Sequence, residues 1–178
     1  SRVRPAMIRS CLFSYKPKAM NMWSDNGRLL FVGRVVFKKG VHILIKVLSK
    51  VKNANLVIAG PFDERYLKSL KTLTMKSKLE DRVKFMGPLA EGEKYDPMAN
   101  CDIFTSPSLN DYHPITLIEA QSLGKPVIST TVGAIPEIVI NGKTGVLVKP
   151  NDETELASAL VTMLHDDKIR GCLSENAK

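Results

Sequence analysis

Leu29-Leu30-Phe31-Val32-Gly33 and Leu56-Val57-Ile58-Ala59-Gly60 decide the fold, together with the stretch that joins them. Each is a continuous apolar run that stops at a glycine. A strand covered on both faces reads this way, because neither face leaves room for an alternating polar side chain. Between the two runs, after Gly40, apolar residues fall at Val41, Leu44, Ile45, Leu48 and Val51, the stripe of a helix with a 3.6-residue period. Strand, helix and strand in that order form a unit whose strands lie parallel, joined by a right-handed crossover.

Outward from this unit the alternation repeats. Leu67, Leu70 and Leu73 mark a Lys-rich helix, Val83-Lys84-Phe85-Met86 a third strand, and residues near Glu91–Ala99 a short helix. Asp102-Ile103-Phe104-Thr105 is the fourth strand. Pro114 is placed to open a helix that runs through Leu123, with Gly124 as its stop. Pro126-Val127-Ile128-Ser129 begins the fifth strand, where proline is tolerated at the first position, and Val146-Leu147-Val148 is the sixth. Asn151 or Asp152 caps a last helix carrying Leu156, Ala159, Leu160, Met163 and Leu164; Asp152 and Glu155 have capping-box spacing. Six buried strands alternating with helices predict an α/β, Rossmann-like, doubly wound and mostly parallel six-stranded sheet with helices on both faces. Residues 27–178 make this domain. Residues 1–26, with Pro5, Pro17 and scattered bases, show no period and read as a linker or leading segment that packs on something else.

The totals agree with one globular domain. The chain has 178 residues, 44% hydrophobic and 25% charged, which excludes a disordered chain. No apolar run approaches the roughly 18 residues of a membrane span, and no sustained apolar segment follows Ser1-Arg2-Val3-Arg4-Pro5 as a signal peptide would require. Cys11, Cys101 and Cys172 are odd in number and widely spaced, which predicts a reduced, cytoplasmic setting and no metal-binding cluster. The net charge of +8 is uneven: residues 1–52 carry twelve Lys/Arg against Asp25 alone, and the remainder fourteen against seventeen Asp/Glu. A basic lobe suits phosphate-bearing ligands, anionic membrane surfaces or nucleic acid, and on charge alone a solvated basic face is slightly favoured over all three.

In such a sheet, ligands bind beyond the carboxyl ends of the strands where strand order reverses. An order 3-2-1-4-5-6 brings together the loops after strands one and four, Gly33 to Gly40 and Ser106 to Pro114. The first lacks a G-x-G-x-x-G fingerprint and a G-x-x-x-x-G-K-[ST] phosphate loop, and no acidic residue ends the second strand, so a dinucleotide reading is poor. It offers Arg34 and Lys39 instead. A guanidinium fork and a mobile ammonium suit a diphosphate, although two bases in an exposed loop can be merely solvated. The second loop runs into the helix turn of Pro114, Ile115, Thr116 and Leu117, whose backbone N–H groups form an anion site. Asp111 precedes that turn, and Glu119 lies inside the helix with its side chain able to point back to the crevice. Alone, the first reads as a loop or capping residue and the second as a solvent-facing one. Beside the basic loop, two carboxylates that accept from paired hydroxyls fit a sugar nucleotide.

Four elements in order resemble the retaining, GT-B-fold glycosyltransferases of the large group 1 class, over roughly Leu29 to Asp166. Phe31-Val32-Gly33-Arg34 through Lys39-Gly40-Val41 is similar to the G-R-x-x-x-x-K-G element. Pro107-Ser108 with Asp111, Pro114, Glu119-Ala120, Gly124 and Pro126-Val127-Ile128 is similar to the E-x7-E region. Val132-Gly133-Ala134-Ile135-Pro136-Glu137, and then Asn141-Gly142-Lys143-Thr144-Gly145-Val146-Leu147-Val148, resemble the closing signature.

The resemblance implies one half of a GT-B fold, the donor domain of a hexosyltransferase that acts on a UDP-, GDP- or ADP-sugar with retention and without a metal or other cofactor. It gives Arg34 and Lys39 the diphosphate, Glu119 the ribose hydroxyls, Asp111 the hydroxyls of the transferred sugar, and the backbone amides of residues 112–117, including Tyr112 and His113, the remaining contacts. The base is placed by Gly60 and by Gly87, Pro88 and Leu89, with Gly33 at the phosphates. Asp111 stands where the family has Glu, one methylene shorter, and Tyr112-His113 replaces a small-aromatic pair. The partner Rossmann-like domain that normally provides the acceptor site is not in this sequence, so the expected domain by itself has little activity. Lipid-linked molecules and polysaccharides both fit as acceptors, peripheral contact with the cytoplasmic face of a membrane fits the basic opening segment, and no nucleic acid partner is expected. The alternative is a non-catalytic nucleotide-binding or protein-interaction module.

Overall fold

A computed structural model describes residues 12, 15–23, 27–90 and 92–177. Six strands, β1 Gly27–Val32, β2 Ala54–Ala59, β3 Val83–Gly87, β4 Ile103–Ser106, β5 Val127–Thr130 and β6 Gly145–Val148, form one sheet in the order β3-β2-β1-β4-β5-β6. Every pairing is parallel, with Leu29 opposite Leu56 on one side of β1 and Ile103 on the other. The reversal of strand order falls between β1 and β4, as in the common order 3-2-1-4-5-6.

The apolar runs divide their side chains between two layers. Leu29, Phe31, Leu56 and Ile58 point into a core shared with helices α1 Val41–Leu48, α2 Glu64–Lys76 and, through Leu156, Leu160 and Met163, α6 Glu153–His165. Their neighbours Leu30, Val32, Val57 and Ala59 point the other way, against α3 Tyr95–Asn100, α4 Ile115–Ser122 and α5 Ile135–Ile138. A period of two along strands buried on both faces requires this division. A final helix, α7 Asp167–Ala177, packs on α6 and α4 with Leu173 buried and Ser174 Oγ donating to the Gly124 carbonyl.

Three local expectations shift. Pro114 is the residue before α4, which starts at Ile115 and ends before Gly124 in the left-handed region, φ +66°. The short helix near Glu91–Ala99 starts only at Tyr95, because Gly92 turns at φ +89° and Glu93 uses its carboxylate on the Ala90 N–H at 2.8 Å. The capping box at α6 is only half made. Asp152 accepts from the Glu155 N–H at 2.8 Å, but the Glu155 carboxylate accepts from the Lys149 N–H at 2.7 Å and not from residue 152.

Of the leading segment, residues 15–23 lie on the domain itself. Tyr15 Oη and the Lys18 N–H both donate to Asp96 Oδ1 at 2.8 Å, and Met22 and Trp23 pack beside the α3–α4 core. Leu12 is buried, and Cys11 and the other residues of that segment fall outside the described ones. Cys101 is buried, which pushes its thiol up to about 12, and Cys172 is exposed. No described helix is long and apolar enough to cross a membrane, and the described residues hold no cluster of three metal-ligating side chains.

Candidate functional site

Backbone contacts and the Lys39–Asp111 ion pair hold the loops after β1 and β4 against each other. After Val32 the chain passes through a 3-10 turn, Phe37–Lys39, and leaves it at Gly40 with φ +69°. A Cβ at Gly40 would collide with the Pro107 carbonyl oxygen, so the two loops touch where only hydrogen fits. The Lys38 carbonyl accepts from the N–H groups of Leu109 and Asn110 at 2.8 and 3.3 Å. On the far side Gly133, φ +54°, lies so close to the Asp111 carbonyl that a Cβ there would collide as well.

Between the loops opens a cleft of about 310 Å³. Gly33, Arg34 and Lys39 line it from the first loop, and Asp111, Tyr112, His113, Pro114, Ile115 and Thr116 from the second. Ser106, Asn110 and Lys38 also line it, and the sequence reading did not single them out. Lys39 Nζ donates to Asp111 Oδ2 at 2.5 Å in a pair that is largely shielded from solvent. Ser108 Oγ donates to the same oxygen at 3.4 Å, and the His113 N–H to Oδ1 at 3.3 Å. Both oxygens of Asp111, a residue 7% exposed, are thus engaged within the protein. Behind them Thr130 Oγ1 donates to the Ser108 carbonyl at 2.6 Å, which fixes the floor of the second loop.

The amides of residues 112–117 are fewer than the sequence suggests. The His113 N–H is taken by Asp111, the Ile115 N–H by the His113 carbonyl at 2.9 Å, the Leu117 N–H by the Pro114 carbonyl at 3.0 Å, and proline has none. Among the described residues, Tyr112 and Thr116 keep the amides of this stretch that carry no such bond. Leu117, its N–H taken by Pro114, has its side chain fully buried in the α3–α4 core.

A second cleft of about 200 Å³ adjoins the first and shares Gly33, Arg34 and Thr116 with it. Gly60, Leu89 and Lys94 complete its wall. Gly87 does not line either cleft; it ends β3 and its carbonyl accepts from the Gly60 N–H at 2.7 Å. Glu119 lines neither cleft directly; it is 4% exposed and pairs with Lys94, whose Nζ donates to Oε1 at 2.8 Å. Tyr95 Oη donates to the same oxygen at 3.2 Å. Lys94 is the functional candidate the sequence reading misses, since it lies in the irregular stretch between β3 and α3 and no spacing relates it to Glu119.

Beside the first loop, His42 Nδ1 lies 2.7 Å from Tyr66 Oη, and Phe37, 63% exposed, stacks on the imidazole at 4.7 Å. Burial, reinforced by the nearby Lys46, lowers the His42 pKa from its ordinary 6.5. Chemically, the paired clefts present four cationic side chains, Arg34, Lys38, Lys39 and Lys94, the shielded Asp111 carboxylate and a helix N-terminus, an arrangement for an extended polyanion that carries hydroxyl groups.

A family model of the glycosyl transferases group 1 matches residues 18–178. A D-inositol 3-phosphate glycosyltransferase of Corynebacterium glutamicum is 32% identical over 155 residues, which cover 83% of this chain and 37% of that protein. An uncharacterized glycosyltransferase of Methanocaldococcus jannaschii is 30% identical over 149 residues, 84% of this chain and 41% of its own. The HepE protein of Anabaena, solved in complex with UDP, superposes with a TM-score of 0.80 at 29% identity, covering 86% of this chain and 43% of that one. The same protein solved with UDP-glucose superposes with a TM-score of 0.79. The chain spans about two fifths of the length of these relatives. With the sheet order, the two stitched loops and these matches together, the chain belongs to the glycosyl transferases of group 1, and its fold is one Rossmann-like half of the GT-B architecture.

Proposed function

We propose that this domain binds the donor, a nucleoside-diphosphate hexose, for a glycosyltransferase that retains anomeric configuration. The observation that carries this reading is the single cleft in which Arg34 and Lys39 face the N-terminal turn of α4. The Arg34 fork and the Lys39 ammonium neutralise the diphosphate, and they act most strongly as charge builds on it while the bond to the sugar breaks. The free amides of Tyr112 and Thr116 add donors at the helix terminus. The nucleoside extends into the smaller cleft by Gly60 and Leu89, with its ribose towards Glu119, and the sugar lies on the Asp111 and His113 side. In the retaining step the bond from the anomeric carbon to the diphosphate oxygen breaks, and the acceptor oxygen bonds to that carbon on the same face. The acceptor proton passes to the departing diphosphate. Two protein cations fill the charge-neutralising role here, so no bound metal is assigned. The acceptor, lipid-linked or polysaccharide, docks on the partner domain. UDP and UDP-glucose in the Anabaena relative support the donor class.

Calorimetric titration with UDP, GDP and ADP tests the reading. At least one binds, and Arg34→Ala and Lys39→Ala each weaken it by about 1.5–3 kcal/mol, the scale of a hydrogen bond to a charged group. Absence of binding by all three at millimolar concentration would overturn it.

One observation favours a second reading, a module that binds nucleotide without turnover: Asp111 is short and already bonded through both oxygens. A full-length protein that binds the donor but neither transfers nor hydrolyses its sugar would support that reading.

A further inference from the structure

The four cations that line the clefts are not equivalent. Lys39 and Lys94 are each tied to a buried carboxylate, Lys39 Nζ to Asp111 at 2.5 Å and Lys94 Nζ to Glu119 at 2.8 Å. Arg34 and Lys38 have no carboxylate partner among the described residues. These two also differ in place. Arg34 lines both clefts and stands where they join, whereas Lys38 lines the larger one alone. The backbone roots Lys38 on the Asp111 side, away from Gly60 and Leu89: its carbonyl accepts from the N–H groups of Leu109 and Asn110 at 2.8 and 3.3 Å. Asn110 lines the same cleft, and its exposed carboxamide is unpaired among the described residues. A lysine on a loose loop is ordinarily just solvated. This one belongs to a 3-10 turn closed so tightly on the opposite loop that a Cβ at Gly40 would strike the Pro107 carbonyl, so its side chain starts from a fixed point on the cleft wall. An ammonium has three donors and no acceptor, and the group that answers it best is an anion.

We propose that Lys38, assisted by Asn110, forms an anion subsite at the end of the larger cleft away from the nucleoside, for a carboxylate or phosphate carried beyond the donor's diphosphate. The inference rests on the nucleoside-diphosphate reading above and extends it to two residues that the G-R-x-x-x-x-K-G and E-x7-E elements leave unspecified. The anionic group belongs either to the transferred sugar, as the carboxylate of a hexuronate, or to a phosphorylated acceptor. Both present the same charge to the same ammonium.

The test uses the 178-residue chain and whichever of UDP, GDP or ADP it binds most tightly. In one arm the hexose and hexuronate forms of that nucleotide are titrated side by side, UDP-glucose and UDP-glucuronate where the nucleotide is UDP. In the other, glucose 6-phosphate is titrated into chain already saturated with the bare nucleotide. A sugar-borne anion is expected to make wild type prefer hexuronate to hexose about fivefold, the upper scale of an exposed ion pair. An acceptor-borne one is expected to make glucose 6-phosphate bind wild type more tightly than Lys38→Met by about the same factor. Lys38→Met abolishes the preference and Lys38→Arg keeps it. Lys71→Met, on the exposed side of α2, leaves the preference as in wild type, which separates the subsite from the general charge of the domain. If Lys38→Met weakens hexose and hexuronate equally, Lys38 is a diphosphate contact and the inference is overturned. A wild-type chain that binds none of the three nucleotides removes the donor reading and the subsite with it, whereas one that binds nucleotide but shows no Lys38-dependent preference in either arm removes the subsite alone.

Discussion

His42 shows how a single residue beside the cleft links structure to pH. Its imidazole is held between Tyr66 and the stacked Phe37, and burial keeps its pKa below 6.5. The unfolded chain therefore takes up the proton first, so stability is complete above about pH 6.5 and is lost as pH falls through that value towards the depressed folded one. Thermal melts between pH 7.5 and 5.5 check this: wild type loses more of its Tm on acidification than His42→Gln, and equal slopes would show that the ring is not the cause. At this scale Arg34, Lys39 and Asp111 were legible in the sequence, because each lies in a loop whose place at the end of a strand is set by periodicity. Lys94 was not. It meets Glu119 through the irregular chain before α3, and long-range pairing of that kind leaves no local pattern. Neither could spacing reveal that His113, Ile115 and Leu117 spend their amides within the turn, which depends on the tight path of residues 111–117.

Among the elements, strands were easier to place than helix starts. A run such as Leu56 to Ala59 has one physical explanation, burial on both faces, and β2 is buried along its whole length. The start of α3 depends on competition between Gly92, Glu93 and Pro97 for the first turn, which apolar spacing does not report. The half-made box at α6 makes the same point energetically. Asp152 bonds the Glu155 N–H, but Glu155 ties down the preceding turn at Lys149. Asp152→Ala is accordingly expected to cost about 1 kcal/mol, the usual cost of a lost N-cap, and Asp152→Asn much less. Denaturant unfolding midpoints measure both, and an unchanged midpoint for Asp152→Ala would mean the cap is idle.

For the molecule as a whole, the alternation of runs points to a doubly wound parallel sheet, and it is the common strand order of such sheets, found here, that brings together two loops far apart in sequence. What the sequence did not give was the placement of the opening segment, because residues 15–23 are held by individual polar bonds to Asp96 and not by a periodic face. Asp96 is kept below the ordinary carboxylate range by the Lys18 N–H and the Tyr15 hydroxyl. Asp96→Ala is expected to release that segment while leaving the sheet intact, seen as faster amide hydrogen exchange at residues 15–23 with unchanged exchange in β1 and β2. Uniform protection would show that Met22 and Trp23 suffice to hold it. The central position of β1 has a consequence for how the domain is made. Its partners are β2 on one side and β4 on the other, so a chain leaving the ribosome delivers Arg34 and Lys39 long before the segment that faces them. Until Ile103 docks beside Leu29 the loop after β1 has no opposite wall, so the cleft between the two loops takes shape only once β4 has joined β1.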